Sequence, residues 1–200
     1  MTRLILSSWQ IHAALRGELK MVLLPVKPQP IGEYITDTAT GKFLFRTTEL
    51  YPREILVSPP FSIFSRLWIA ETWRCMVDET LWDCIEYKDN KKIKPENLSS
   101  QDGYYFDWLC NNEKQWRSPA TMPKYASRME FVVQGIGCKM LEDLTENEAR
   151  LIIGFTPEQS RDGYFLSAIN NLKSYWQQRY GSRYPWESTW VWTVEGEVKR

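Results

Sequence analysis

The fold follows from the stretch Trp116-Arg117-Ser118-Pro119-Ala120-Thr121-Met122-Pro123-Lys124-Tyr125-Ala126-Ser127-Arg128, which runs straight into the alternating apolar segment 129–136. Pro119 and Pro123 restrict their own backbone torsions and those of the residue before each, so the approach to the predicted strand is stiff. Such an approach can present a cation and an aromatic ring at the rim of a barrel. The alternative is a rigid connector whose charged side chains are solvated.

The composition is that of a folded protein with a large aromatic content. Its 200 residues suit one domain, and the 43% of hydrophobic residues excludes a disordered chain. The ten tryptophans and ten tyrosines are expected mostly in the core, since aromatic rings supply much of a fold's buried area. The 25 basic and 25 acidic residues cancel. This excludes a general DNA-coating protein, since such proteins carry an excess of Lys and Arg.

The cysteines and the single histidine do not form a metal-binding pattern. Cys75, Cys84, Cys110 and Cys138 contain no Cys-x-x-Cys pair, and His12 is the only histidine, whereas zinc sites use clustered ligands. We therefore expect no metal and no cofactor. Scattered cysteines without a recognisable signal peptide are typical of a cytoplasmic protein with reduced thiols. No apolar run reaches the roughly 18 residues that a membrane helix needs, so no membrane partner is expected.

Periodicity and capping residues predict the elements. Strands are expected over 4–6, 66–73, 130–137 and 190–198, a hairpin over 32–50 with its turn at 38–41, and a loop or edge strand over 52–60. A helix over 9–16 should begin at Ser7 or Ser8 and end at Gly17. Thr145 and Glu148 match a capping box, so a helix should follow to Ile153 and stop at Gly154. Asp162 is predicted to cap a helix over 163–179, which Gly181 ends.

The order of these elements predicts the fold class. Strands dominate and do not alternate regularly with helices, which favours an α+β fold built on a small mixed β-barrel decorated with helices. We expect a single domain over residues 1–200. The least readable region, at about 74–116, is interpreted as an insertion between two barrel strands.

The chain resembles the ASCH family, a branch of the PUA-like barrel folds, and within it the longer proteins encoded by bacteriophages and prophages. Four blocks carry the resemblance, and together they span nearly the whole chain in the family's order. They are 13–17 with 26–30, 67–73 (Leu-Trp-Ile-Ala-Glu-Thr-Trp), 122–128 (Met-Pro-Lys-Tyr-Ala-Ser-Arg), and 141–149 with 185–187 and 190–192. The resemblance implies a PUA-like barrel with a pocket at its mouth that binds RNA or a modified nucleotide, in the cytoplasm of a bacterial host.

The resemblance also implies a possible reaction. Some small ASCH proteins resemble amidohydrolases that remove the acetyl group of N4-acetylcytidine with a Lys, a Thr and a Glu. Counting from Gly17, the family's Arg, Lys and Thr positions hold Glu18, Leu19 and Lys20, and only Glu71 stands where the family has its Glu. We therefore expect binding without efficient catalysis. An amidohydrolase that uses Glu71 and a repositioned Lys20 is the alternative.

The candidate nucleic-acid-binding residues come from separate segments and are expected to converge at the barrel mouth, with Glu71, Lys124 and Arg128 around the ligand. They are Arg16, Lys27, Arg66, Trp73, Arg74, Lys124, Tyr125 and Arg128. Trp73 and Tyr125 are the candidates for base stacking, because each adjoins a charged residue. For Glu71, the other interpretation is an ion pair with Arg128 or Arg74. A third function is also open: a phage protein-interaction module that inhibits a host enzyme through residues 98–116.

Overall fold

The computed structural model describes residues 2–37, 41–48, 50–77, 83–94, 98, 102–103, 106, 108, 110, 115–153 and 167–200. The chain divides into two compact units, each of which is described by itself. Unit 1 comprises Met1–Ile11, Arg66–Phe131 and Lys199–Arg200, and unit 2 comprises His12–Ser65 and Val132–Val198. The assignment of a single domain stays a prediction.

The described elements are mostly strands. The strands are β1 (Arg3–Ile5), β2 (Met21–Pro25), β3 (Glu33–Asp37), β4 (Phe43–Arg46), β5 (Glu54–Val57), β6 (Arg66–Ala70), β7 (Trp73–Val77), β8 (Asp83–Tyr87), β9 (Lys92–Ile93), β10 (Glu130–Met140) and β11 (Trp190–Lys199). Within the described ranges, the α-helices whose two ends are defined are α1 (Ser8–Arg16), α2 (Glu146–Ile153) and α3 (Ala168–Tyr180). Short 3-10 turns include Pro119–Thr121, Lys124–Ala126 and Gly181–Arg183.

The fold is a mixed α+β fold, as the sequence predicts. The described strands form three sheets, and within this part of the chain no sheet closes into a barrel. Of the helices described, none is long and apolar enough to cross a membrane.

Unit 1 contains two sheet regions. Strand β6 lies between β1 and the start of β10, and its pairing with β1 is parallel, with Leu4 opposite Ile69. The second is the antiparallel sheet β7-β8-β9, which falls in the segment predicted as an insertion. Its inner face contributes Trp73, Cys75, Ile85 and Tyr87 to a buried cluster with Met122. The predicted insertion therefore shares one hydrophobic core with residues on either side of it in the sequence, among them Trp68, Trp73 and Met122.

Unit 2 also contains two sheet regions. In one, β11 lies between β10 and β2, and in the other, β4 lies between β3 and β5. The predicted hairpin is confirmed as β3 and β4, which are antiparallel with Tyr34 opposite Phe45, although residues 38–40 of its turn lie outside the described residues. The segment 52–60 contains β5, an edge strand. Phe45 and Trp190 pack edge to face with ring centroids 4.8 Å apart.

The helix ends follow their capping residues. The Thr145 hydroxyl accepts a hydrogen bond from the N–H of Glu148, and the Glu148 carboxylate accepts one from the N–H of Thr145, so the predicted capping box is confirmed. Gly17 follows α1 and Gly181 follows α3, both with positive φ. The prediction for the start of α3 is wrong: its N-cap is Ser167, whose hydroxyl accepts from the N–H of Asn170. Gly154, Asp162 and the predicted helical residues 163–166 lie outside the described residues.

Candidate nucleic-acid interface

The sheet β7-β8-β9 separates the side chains of two adjacent strands onto two faces. Trp73 is opposite Tyr87 and Arg74 is opposite Glu86 in the antiparallel register. Because opposite residues of paired strands point to the same side, Trp73 and Tyr87 share the inner face and Arg74 and Glu86 share the outer face. The inner pair is almost completely buried. Arg74 on the outer face is half-buried and forms an ion pair with Glu86.

Trp116 is brought to Arg74 by a backbone bridge outside the strands. Residues Trp73 and Arg117 exchange two hydrogen bonds, with N–O distances of 3.3 and 2.7 Å. The guanidinium carbon of Arg74 then lies 4.7 Å from the centre of the Trp116 ring, and the Lys88 ammonium lies 4.0 Å from it. We call these three residues, Arg74, Lys88 and Trp116, the Trp116 face. Arg74 lies in β7 and Lys88 in the turn that follows β8, and the two cations meet over one half-buried indole.

The β8–β9 hairpin adds positive charge beside the Trp116 face. Lys88, Lys91 and Lys92 are exposed. The acid among them, Asp89, is committed elsewhere, since its carboxylate pairs with Arg128 at 2.9 Å. Partial burial opposes the ionisation of Asp89, but hydrogen bonds from Arg128 and from the N–H of Lys91 outweigh it and hold the pKa of Asp89 below its ordinary value. This hairpin therefore presents mostly lysines to solvent.

Arg128 and Glu71 form a buried ion pair in unit 1. The Arg128 Nε donates to Glu71 Oε1 at 3.0 Å and Nη2 donates to Oε2 at 2.7 Å. The guanidinium also lies 4.1 Å from the centre of the Tyr87 ring. Burial alone would lower the pKa of Arg128, but the hydrogen bonds and charges of Glu71 and Asp89 raise it above its ordinary value. Of the two arginines predicted as possible partners of Glu71, Arg128 forms the pair and engages both carboxylate oxygens, whereas Arg74 pairs with Glu86.

The structure distributes the other predicted residues of unit 1 differently. Trp73 is 1% exposed, so its ring offers no open face to a base and the expectation of a stacking surface does not fit. Tyr125 is half-buried, with its ring edge-on to Phe106 at 6.1 Å. Lys124 is exposed in the 3-10 turn Lys124–Ala126. Arg66 is exposed and pairs with Glu130 at 3.3 Å. Of the three residues expected to gather around a ligand, Glu71 and Arg128 are in contact.

Three predicted residues belong to unit 2. Arg16, at the last position of α1, pairs with Glu18 at 2.7 Å. Lys27 is exposed and precedes Pro28 through a cis peptide bond. Lys20 is exposed just before β2. The catalytic combination of Lys20 with Glu71 stays a prediction.

The sequence-based prediction missed Lys88, and it did not include Trp116 among the binding residues. The available signal was the alternation of β7 and β8, which places Arg74 on the face opposite Trp73. The meeting of Arg74 with Trp116 depends on the bridge between Trp73 and Arg117, and no spacing rule connects residues so far apart along the chain. Among the described residues, no group of three or more His, Cys, Asp or Glu side chains could hold a metal ion.

Comparison with protein-family models, with curated proteins and with solved structures finds no match to this chain. The site is therefore interpreted from its own geometry and charge.

Proposed function

We propose that this protein is a binding module for single-stranded RNA or its nucleotides, and that the Trp116 face is its contact surface. The proposal includes the ASCH-like, PUA-like character and the bacteriophage or prophage origin that the sequence resemblance implies. It takes the module to act by binding, without efficient catalysis, in the cytoplasm of a bacterial host.

One observation carries the proposal: Arg74 and Lys88 lie 4.7 and 4.0 Å from the centre of one indole, that of Trp116. Proteins hold single-stranded nucleic acids with aromatic rings for the bases and cations for the phosphates. The Trp116 face combines both groups on the outer side of a small sheet. The exposed Lys91 and Lys92 extend the positive charge along the hairpin, where a backbone phosphate would follow.

The charge balance of the chain agrees with a local site. With 25 basic and 25 acidic residues, long-range attraction to nucleic acid is weak. Binding must then depend on a few cations at one surface, and each phosphate contact should contribute about 0.7 to the slope of log K against log salt for a single strand. This gives the proposal a quantitative test.

The test measures binding of a fluorescein-labelled oligouridylate of about 12 nucleotides by fluorescence anisotropy. We expect Lys88→Gln and Arg74→Gln each to weaken binding by about 3- to 10-fold and to reduce the salt slope by about 0.7. Because Arg74→Gln leaves the buried Glu86 without its partner, Arg74→Lys is measured beside it and should keep most of the affinity. Unchanged affinity and slope in Lys88→Gln would reject the Trp116 face as the contact surface.

Two matched controls lie in unit 2. Arg46 pairs with Glu54 across neighbouring strands at 3.0 Å, as Arg74 pairs with Glu86. Lys173 lies 5.9 Å from the centre of the Trp186 ring and pairs with Glu187. Arg46→Gln removes one charge from an exposed cross-strand pair, and Lys173→Gln removes one from a cation–aromatic contact. Both should leave RNA affinity within about 2-fold of the unmodified protein, apart from the general charge effect.

A protein partner is the second candidate, because unit 2 exposes large apolar side chains. Leu50 is 89%, Tyr51 79% and Phe64 81% exposed, and Phe64 has a positive φ of 66°. A bulky residue in that conformation is strained and is common at functional sites. Pull-down from a bacterial lysate with and without nuclease separates the candidates. A bacterial protein that is still retained after nuclease treatment, and that is no longer retained by the Phe64→Ser variant, would favour this candidate over RNA binding.

A further inference from the structure

We infer that the C-terminal end of helix α3 forms a second contact surface in unit 2, which binds the phosphate backbone of single-stranded RNA through Arg179 and Arg183. The inference rests on the proposed function in its choice of ligand. It concerns different residues from those of the Trp116 face, and each surface can fail without the other.

The charge of this segment differs from that of the chain as a whole. Residues 167–186 include Lys173, Arg179 and Arg183 and no aspartate or glutamate, although the full sequence is neutral. Lys173 is balanced by Glu187 at 2.9 Å. Arg179, in the last turn of α3, and Arg183, in the 3-10 turn Gly181–Arg183, are both exposed. The end of α3 therefore carries two exposed arginines within a sequence segment, residues 167–186, that contains no acidic residue.

Each of the two arginines makes a cation–aromatic contact with the tyrosine that follows it in the sequence. The guanidinium carbon of Arg179 lies 5.5 Å from the centre of the Tyr180 ring, and that of Arg183 lies 5.6 Å from the centre of the Tyr184 ring. The two tyrosine rings meet edge to face at 5.7 Å. Arg179 also donates a hydrogen bond to the Tyr175 hydroxyl. Such contacts limit the rotamers of the arginines, so less side-chain entropy is lost when phosphates bind.

The turn that carries Arg183 is fixed to the helix. The Trp176 indole N–H donates to the Tyr184 carbonyl oxygen at 2.8 Å, and both residues are buried. The Trp176 ring also packs against Tyr180 with centroids 4.4 Å apart. Arg183 is therefore held near the end of α3 although it lies beyond the last helical residue. Guanidinium groups with restricted rotamers suit phosphate oxygens, which they bind in a planar, bidentate manner.

The competing explanation is that these arginines only offset the negative end of the helix dipole. In that case, replacing the two arginines would change the stability of the protein and would leave its RNA affinity and the salt dependence of binding unaltered. Measuring both quantities on the same variants distinguishes the two roles.

The experiment uses the full-length protein and a labelled oligouridylate of about 30 nucleotides. We expect Arg179→Gln/Arg183→Gln to weaken binding about 10-fold near 0.1 M salt and to lower the salt slope by about 1.4, for two lost phosphate contacts. Arg179→Lys/Arg183→Lys keeps both charges and should recover most of the affinity. Arg183→Gln alone, at an exposed position outside the helix, should lower the slope by about 0.7 in a protein of unchanged thermal stability.

The Arg74→Gln/Lys88→Gln variant separates this inference from the proposed function. A loss of affinity in that variant alone would overturn the α3 surface and leave the Trp116 face standing. A loss in the Arg179/Arg183 variant alone would do the reverse. RNA binding that neither pair of substitutions alters, or no binding by the unmodified protein, would overturn both. Lys173→Gln, on the same helix but away from its C-terminal end, is the matched control and should leave the slope within about 0.3 of the unmodified value.

Discussion

At the scale of single residues, unit 1 contains a buried ion pair between Glu71 and Arg128. Glu71 is 3% exposed, and both of its oxygens accept from the guanidinium. Asp89 and the Tyr87 ring complete the surroundings of Arg128. Replacing one member of such a pair leaves the other charge buried without a partner, which strongly destabilises the fold. Replacing both members by apolar residues costs much less free energy of unfolding.

We expect Arg128→Met to lower the free energy of unfolding by about 3–5 kcal/mol, measured by urea denaturation, because Glu71 then stays buried and unpaired. The double variant Glu71→Leu/Arg128→Met removes both charges and should be more stable than Arg128→Met. The control is Arg66→Met, whose pair with Glu130 is exposed and should change stability by less than about 1 kcal/mol. A double variant less stable than Arg128→Met would contradict the assignment.

From the sequence alone, either Arg128 or Arg74 could be the partner of Glu71. A carboxylate at Glu71 and cations at Arg74 and Arg128 are visible in the sequence, but the choice of partner is not. It depends on the face of the sheet: Arg74 is on the outer face opposite Glu86. The burial of Trp73 was missed for a similar reason, since its inward direction is set by the strand pairing with Tyr87 and not by its charged neighbours.

At the scale of elements, helices α2 and α3 are joined through Glu146. Its carboxylate accepts hydrogen bonds from the N–H of Ala168 at 2.7 Å, the Ser167 hydroxyl at 2.9 Å and the N–H of Ile169 at 3.3 Å. The first turn of α3 is therefore capped by a side chain of α2, in the place where unpaired N–H groups and the positive end of the dipole favour an anion.

This capping predicts a pH dependence. The N–H of Ala168, with help from Ser167 and Ile169, lowers the pKa of Glu146 below its ordinary value. A lowered pKa in the folded state gives stability that is complete above the unfolded pKa of about 4.3 and is lost as the pH falls through the folded value. We expect Glu146→Gln to be less stable than the unmodified protein at about pH 7, and this difference to shrink below about pH 4.5.

Thermal unfolding at a series of pH values measures that difference. Glu142→Gln changes an exposed carboxylate on the preceding 3-10 turn Leu141–Asp143, and should differ little from the unmodified protein at any pH. A stability difference for Glu146→Gln that stays constant into acid would contradict the capping role.

Most elements could be predicted from local chemistry, because their signals are local. The capping box at Thr145, the hairpin of β3 and β4 and the glycines after α1 and α3 each depend on a few neighbouring residues. The start of α3 could not, since Asp162 and Ser167 are both good N-caps and the apolar spacing does not choose between them. In the structure, Glu146 accepts hydrogen bonds from the Ser167 hydroxyl and from the N–H of Ala168. The sequence does not reveal these contacts.

At the scale of the whole molecule, a neutral chain carries two cationic, aromatic surfaces. The sequence predicted the α+β class from the balance of strands and helices. It also placed Arg74 among the binding residues, but it did not identify the Trp116 face, whose members meet through sheet pairing. Zero net charge does not exclude RNA binding. Under the proposed function, a neutral chain would bind RNA through the few phosphates that these two surfaces contact.

The salt dependence of binding to a long RNA should reflect this limit. With Arg74, Lys88, Arg179 and Arg183 each contacting one phosphate, we expect a slope of log K against log salt near −3, at about 0.7 for each contact. Anisotropy titrations between about 50 and 300 mM salt measure it. A slope steeper than about −6 would mean that many other cations take part, and the two-surface description would then be wrong.

Photo-crosslinking tests the central claim most directly. An oligouridylate containing 4-thiouridine is irradiated with the full-length protein, and the attached peptides are mapped by mass spectrometry. We expect crosslinks at Trp116 and at residues 88–92, and we expect Lys88→Gln to reduce them while Lys173→Gln does not. Efficient crosslinking confined to other parts of the chain would contradict the assignment of RNA binding to the Trp116 face.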